Sequence, residues 1–161
     1  MKIALRILLA LTLSGLIGCA GAPRPSTPVP TIPPSGPRTA LDLLRQREPG
    51  TEWDSASLVH GDLDQDGADD FALSGIHGDR FVVGIVQGPV GPASRHWTLE
   101  FPWDGTQDAL CSRQAKIELE EVEEEGGPAR HALGINLHDD RCDAFHISWD
   151  ADKKTYDWWR L

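Results

Sequence analysis

Seven prolines lie between Ala22 and Arg38, and they limit which part of this chain can fold into a packed domain. Proline fixes φ and has no amide hydrogen to donate, so a segment this rich in proline cannot build a regular helix or a central strand. We predict a disordered, partly polyproline-II spacer, roughly 50 Å long if fully extended at ~3.1 Å per residue. Residues 39–161 remain for a core, and a stretch of roughly 120 residues suits one domain.

The N-terminal 18 residues have the pattern of a targeting segment. Lys2 and Arg6 are followed by a mostly apolar run from Ile7 to Ile17. That run has the length of the apolar region of a signal peptide and is too short to span a bilayer. We therefore assign residues 1–18 to a signal peptide and exclude them from the fold.

The stretch Leu16-Ile17-Gly18-Cys19 resembles the lipobox of bacterial lipoproteins. In that family the chain is cut before the cysteine, whose thiol carries a diacylglyceryl group. The resemblance implies that Cys19 is the lipidated mature N-terminus, anchored to a membrane of the cell envelope, and that residues 19–38 are a tether. Ala20, rather than Asp, follows the cysteine, and by the sorting habit of that family the resemblance then implies the outer membrane, facing the periplasm, if the host is Gram-negative. The alternative is an ordinary secretory signal followed by an incidental cysteine.

Charge restricts the partners of the mature chain. Without the signal peptide, 13 basic residues face 25 acidic residues, which gives a formal charge of −12. Nucleic acid and anionic lipid surfaces repel such a chain, so we expect no nucleic-acid partner. The negative charge favours cations as binding partners.

Two cysteines remain in the predicted domain, Cys111 and Cys142. An even pair in an exported protein predicts a disulfide, because export leads to an oxidising compartment. A catalytic thiol would leave the other cysteine unexplained.

Hydrophobic periodicity predicts a mainly β fold after one short N-terminal helix. Thr39 is the expected helix cap, with the helix over Ala40–Glu48 and its end at Pro49-Gly50. Short apolar runs separated by turn residues then predict an antiparallel meander of about eight strands, arranged as a small sheet, a sandwich or a barrel. The central strand among them is expected to be the one that is apolar on both faces, Phe81–Val86. The predicted strands are Ser57–His60, Phe71–Ile76, Phe81–Val86, His96–Phe101, Ala115–Glu123, His131–Leu137, Ala144–Trp149 and Thr155–Leu161.

An acidic loop between the first two predicted strands carries the strongest chemical signal. Asp62, Asp64 and Asp66 alternate with other residues, Gly67 offers a sharp turn, and Asp70 adds a fourth carboxylate. Several hard oxygen ligands suit Ca²⁺ better than zinc or copper. An EF-hand would need a glutamate at loop position twelve, where this chain has an apolar residue, so the loop is not an EF-hand. An acidic turn that binds no metal is the alternative.

The spacing D-x-D-x-D-G-x-x-D before an apolar strand resembles the calcium loop of FG-GAP and VCBS repeats. The resemblance implies that the side chains of the four aspartates and the backbone carbonyl of Ala68 are calcium ligands. Only one complete copy occurs, and roughly 120 residues cannot form the four or more blades of a propeller. The resemblance therefore extends to the metal site and not to propeller function.

Other candidates are weaker. His131, His138 and His146 have no recognised zinc spacing and are expected at solvent-facing strand positions. The acidic run Glu118–Glu125 is expected to be a solvated strand end. Adjacent Trp158 and Trp159 must point to opposite faces of a strand, so one of them is a candidate exposed binding aromatic.

Two classes of function follow. The first is a non-catalytic, calcium-stabilised envelope module that binds a protein or a glycan, or that supports an envelope assembly. The second is a periplasmic hydrolase or hydrolase inhibitor whose acids or histidines meet only in three dimensions. A deep pocket with a paired histidine and carboxylate would favour an enzyme, whereas a flat aromatic patch would favour binding. The sequence contains none of the common catalytic motifs, which favours the first class.

Overall fold

A computed structural model describes residues 36–103, 106, 108–123 and 131–160. The predicted signal peptide, Cys19 and nearly all of the tether lie outside these residues. Within them, no helix is both long and apolar enough to cross a membrane.

Helix α1, Pro37–Arg47, begins earlier than predicted. Its N-cap is Gly36 and no side chain caps it, so the predicted Thr39 cap is wrong. Pro37 occupies the first turn, where a missing N–H costs nothing and the fixed φ of proline already suits a helix. Two residues assigned to the tether therefore belong to α1.

Nine strands follow in the described residues, and they confirm a mainly β, antiparallel fold. The eight predicted strands are present with shifted ends. The first is shorter than predicted, because Ser57 belongs to a 3₁₀ turn, Ser55–Ser57. The two-residue β1 was not predicted. The strands are β1 Glu52–Trp53, β2 Val59–Gly61, β3 Asp70–His77, β4 Arg80–Val86, β5 His96–Pro102, β6 Lys116–Glu123, β7 His131–His138, β8 Phe145–Asp150 and β9 Thr155–Arg160.

The strands form two sheets. Sheet A has the order β1-β3-β4-β5, with β2 also paired to β3, and sheet B has the order β6-β7-β8-β9. Every pairing is antiparallel. Strand β4 lies between two partners and is buried on both faces, which confirms the prediction of a central strand at Phe81–Val86.

Two apolar cores hold three layers together. The first core lies between the sheets and contains Val83 and Ile85 of sheet A and Ile135 and Ile147 of sheet B. The second lies between α1 and the other face of sheet A, with Leu44 of the helix among its buried side chains. Ile117 of β6 is buried in the first core, whereas Leu119, two residues further along, is 39% exposed at the β6 edge of the sandwich.

Candidate metal centre

The acidic loop, residues 62–69, connects β2 to β3. Gly61 and Asp70 are paired at its base, so the strands bring its two ends together. Leu63 inserts from the loop into the first core and is almost fully buried. Gly67 has φ of 92°, a left-handed conformation that costs little without a Cβ. The loop is therefore fixed at both ends and by one apolar side chain.

Three carboxylates of this loop converge. Oxygens of Asp62, Asp64 and Asp66 all lie within 4.8 Å of one another, and we call these three the loop carboxylates. Backbone amides fold the chain around them: Gly67 N donates to Asp62 Oδ2 at 3.1 Å and Asp66 N donates to Asp64 Oδ1 at 3.2 Å. The turn is closed by aspartate side chains that accept hydrogen bonds from backbone amides of the same loop, and the sequence places an aspartate at every second position.

The electrostatics of the group favour a cation. Burial, and then the negative charge of Asp66, raises the pKa of the Asp64 carboxyl. Gln87 Nε2 donates to Asp64 Oδ2 at 2.6 Å. The positive end of the Gln87 amide dipole therefore lies beside the negative charge of the Asp64 carboxylate. Asp62 Oδ1 is buried and has no hydrogen-bond donor. A buried carboxylate oxygen without a donor is costly, and a cation would relieve that cost.

The carboxylate of Asp70 is fully buried and serves the loop differently. Its Oδ2 accepts from Leu63 N at 3.2 Å, Asp64 N at 3.1 Å and the Tyr156 hydroxyl at 3.3 Å. Its Oδ1 accepts from Gly88 N at 2.8 Å. Burial raises its pKa to about 6, although the Gly88 and Asp64 amides oppose the shift. By accepting four hydrogen bonds, Asp70 positions the loop. The aspartates that converge on one point are the loop carboxylates, without Asp70.

The loop carboxylates fit a hard divalent cation. Three carboxylates in a water-accessible turn offer oxygen and no nitrogen or sulfur, as Ca²⁺ prefers. Ala68 N donates to Asp66 Oδ1 at 2.9 Å, which holds Ala68 beside the group. The Ala68 carbonyl and Asp70 as direct ligands stay predictions of the sequence.

No protein-family model, curated protein or solved structure matches the chain. The site therefore has to be interpreted from its own chemistry.

A second buried carboxylate fixes the loops around the disulfide. The structure joins Cys111 to Cys142, which closes a loop with a sequence separation of 31. Asp139 accepts hydrogen bonds from four backbone amides beside this bridge, and both bridged cysteines are among the donors. The distances are 2.6 Å from Cys111 N, 2.7 Å from Ser112 N, and 3.0 Å each from Arg141 N and Cys142 N. Burial acts to raise the pKa of Asp139, but these four bonds outweigh it and lower the pKa.

Histidines and acids meet on sheet B in a way that strand spacing did not predict. His146 Nδ1 lies 2.9 Å from Glu120 Oε2, and His138 Nδ1 lies 3.1 Å from Asp140 Oδ1. The side chain of His131, and Glu124 and Glu125 of the acidic run, lie outside the described residues. Trp158 packs inside against Phe101 and Phe145, so Trp159 is the exposed member of the pair.

Sequence reasoning missed Gln87, Tyr156 and Glu120 as partners in these clusters. Gln87 and Tyr156 lie 23 and 86 residues from the aspartates that they contact. Nothing local marks such residues, because the contacts exist only once the strands have paired.

Proposed function

We propose that this chain is a lipid-anchored lipoprotein of the bacterial envelope whose β domain is a non-catalytic, calcium-stabilised binding module. Its anchor is Cys19, and the tether of residues 19–38 holds the domain away from the membrane. Calcium joins the loop carboxylates and makes the turn between β2 and β3 rigid. The lipobox supports the anchor, and the geometry of the loop supports the metal.

The observation that carries the calcium proposal is Asp62 Oδ1, which is buried with no hydrogen-bond donor inside a group of three carboxylates. The repulsion within such a group opposes the closed turn. The turn is nevertheless required, because Gly61 and Asp70 at its ends are paired in sheet A. A divalent cation would remove the repulsion and supply the missing partner of Asp62.

A binding role is favoured over hydrolysis by the position of the close histidine–carboxylate pair that His146 and Glu120 form on sheet B. Glu120 and His146 lie on a sheet face that no other layer of described residues covers, next to exposed Trp159. A reaction needs a site that excludes water and holds a substrate between groups. An uncovered sheet face with an exposed indole suits recognition.

Calcium should stabilise the complete chain against heat. Extracellular calcium sites often bind at ~10⁻⁴ to 10⁻³ M, and a site at ten times its dissociation constant gains roughly 1.4 kcal/mol. Calorimetry should show a Tm several degrees higher in millimolar Ca²⁺ than in chelator. Magnesium should stabilise less, because it demands a tight octahedron and dehydrates reluctantly.

Matched variants locate this effect. Asp62→Asn and Asp66→Asn should remove most of the calcium response. Asp69→Asn should keep it, because that exposed carboxylate lies in the same loop, outside the loop carboxylates, and is paired with His60. No binding at millimolar Ca²⁺ together with an unchanged Tm would show that the loop is only an acidic turn.

Cys19→Ala should abolish lipidation in a native-type host. The lipobox requires a thiol at this position, so the variant should take up no labelled fatty acid and should escape the lipoprotein signal peptidase. Mass spectrometry of the mature N-terminus and metabolic labelling measure both effects. Labelling that persists in the variant would place the lipid elsewhere.

A further inference from the structure

One face of sheet B has no covering layer among the described residues. Sheet A is covered on one side by α1 and on the other by sheet B, as the two cores show. Strands β6 to β9 send alternate side chains away from the first core, and we call that surface the open face. It presents polar and charged groups together with one exposed aromatic ring.

Four side chains from four successive strands form one connected cluster on the open face. Glu120 of β6 reaches across β7 to His146 of β8, with its Oε2 2.9 Å from His146 Nδ1. Asn136 of β7 donates its Nδ2 to the same oxygen at 3.2 Å. Trp159 of β9 stacks on His146, with ring centroids 5.4 Å apart and planes 21° apart.

Gly134 makes this crossing of β7 possible. It is the register partner of Glu120 in the neighbouring strand. A Cβ at Gly134 would lie 2.6 Å from Val122 Cγ2 and 3.6 Å from Glu120 Cγ. Without that Cβ, the Glu120 side chain can lie over β7 and reach a partner two strands away. The side chains of Glu120 and His146 are accordingly only 18% and 19% exposed.

Trp159 is the accessible member of the cluster. It is 39% exposed, whereas its neighbour Trp158 faces the first core. The only other exposed large apolar residue among those described, Leu119, lies on the opposite face of β6. A rigid, partly exposed indole set among ordered polar groups has the composition of a binding hot spot.

The charge around the cluster selects the ligand. Glu118, in register with Asn136, is 67% exposed and adds negative charge to the open face, with its Oε1 3.7 Å from His138 Nε2. The nearest cation in sequence, Arg160, is turned to the other face, where it lies over Phe145 and donates to the Ala109 carbonyl. Lys153 is paired with Asp150 and Asp157. Lys116 shares the open face but lies at the far end of β6, in register with His138. An indole close to a carboxylate on an acidic protein attracts a cationic group by cation–π and Coulomb interactions.

We propose that Trp159, His146, Glu120 and Asn136 bind arginine or lysine side chains presented by an extended segment of a partner protein. The inference rests on the proposed function as a binding module and names its surface and its partner class. The guanidinium or ammonium group lies on the indole of Trp159 and is attracted by the Glu120 carboxylate, which reaches His146 beneath that indole. Because this protein is acidic, its charge is complementary to a basic partner, and this complementarity favours basic partners over acidic ones.

The test measures binding of a fluorescein-labelled arginine-rich peptide to the complete chain in nonionic detergent by fluorescence anisotropy. The matched probe is the same peptide with citrulline, which keeps the shape of arginine and removes the charge. We expect the arginine peptide to bind and the citrulline peptide to bind at least about ten-fold more weakly. Trp159→Leu should weaken binding of the arginine peptide about five-fold, since leucine keeps an apolar cover on His146 but lacks the aromatic face.

Charge-matched variants separate this site from attraction to an acidic surface. Glu120→Gln should weaken binding about five-fold, whereas Asp42→Asn, which removes one exposed charge from α1, should change it by less than about two-fold. Equal loss in both variants, or equal binding of both peptides, overturns the proposal. So does Trp159-dependent binding of a neutral oligosaccharide without binding of the arginine peptide. The calcium dependence of Tm, measured on the same samples, tests the proposed metal site independently.

Discussion

Asp70→Ala should lower the free energy of unfolding of the chain by about 4 kcal/mol even in calcium-free buffer. The substitution leaves three backbone amides and the Tyr156 hydroxyl without their common acceptor. Each unsatisfied buried group costs about 1–3 kcal/mol, so four of them lose about 4 kcal/mol at the low end of that range. Urea denaturation in chelator measures the loss without any contribution from metal.

Asp69→Ala is the matched control for this experiment. It removes the adjacent carboxylate, which is exposed and paired with His60 on the surface, so stability should change by less than about 0.5 kcal/mol. A loss below about 1 kcal/mol for Asp70→Ala in chelator would contradict the positioning role. Asp70 would then matter for calcium alone.

Asp139→Ala should cost about 3 kcal/mol at neutral pH, because four backbone amides around the disulfide lose one charged acceptor. The exposed neighbour Asp140, paired with His138, provides the control Asp140→Asn, which suits its left-handed backbone of φ 59° and should stay within about 0.5 kcal/mol. Denaturation of the oxidised protein measures both. Retention of wild-type stability by Asp139→Ala would show that the disulfide alone orders this region.

The pH dependence of the Asp139 contribution has a definite sign. The pKa of Asp139 is lower in the folded state than in the unfolded state, where it takes its ordinary value. Below about pH 4 the unfolded chain therefore binds a proton that the folded chain does not. The free energy of unfolding consequently decreases as the pH decreases. The difference in stability between wild type and Asp139→Asn should be constant above about pH 5. It should shrink as pH falls through the lowered pKa.

The two buried aspartates show why similar sequence contexts give opposite electrostatics. Asp70 is the first residue of β3 and Asp139 directly follows β7, and each accepts four hydrogen bonds. Asp70 is surrounded by other carboxylates, and its burial dominates, so its pKa rises to about 6. Asp139 accepts only from backbone amides, and these outweigh its burial. The opposite directions of the two pKa shifts cannot be inferred from the residues that neighbour Asp70 and Asp139 in the sequence.

Local pattern was sufficient for most of the secondary structure and for the loop carboxylates. Alternating apolar residues predict strands because side chains of a strand alternate between faces. Asp62, Asp64 and Asp66 converge because alternate residues of one tight turn lie close together wherever that turn is placed. β1 escaped prediction because two residues, Glu52–Trp53, are too few for a period, and their strand exists only through pairing with β3.

The sequence by itself therefore determined eight of the nine described strands, the acidic turn and the disulfide pair, since each depends on neighbours in the chain or on there being only two cysteines in the domain. Only the tertiary structure decided that the meander divides into two sheets between β5 and β6. It also decided that Tyr156 closes the loop through Asp70, and that Trp159 rather than Trp158 faces outward. The physical reason is that strand alternation fixes which residues share a face, but the packing of distant strands decides which face is covered.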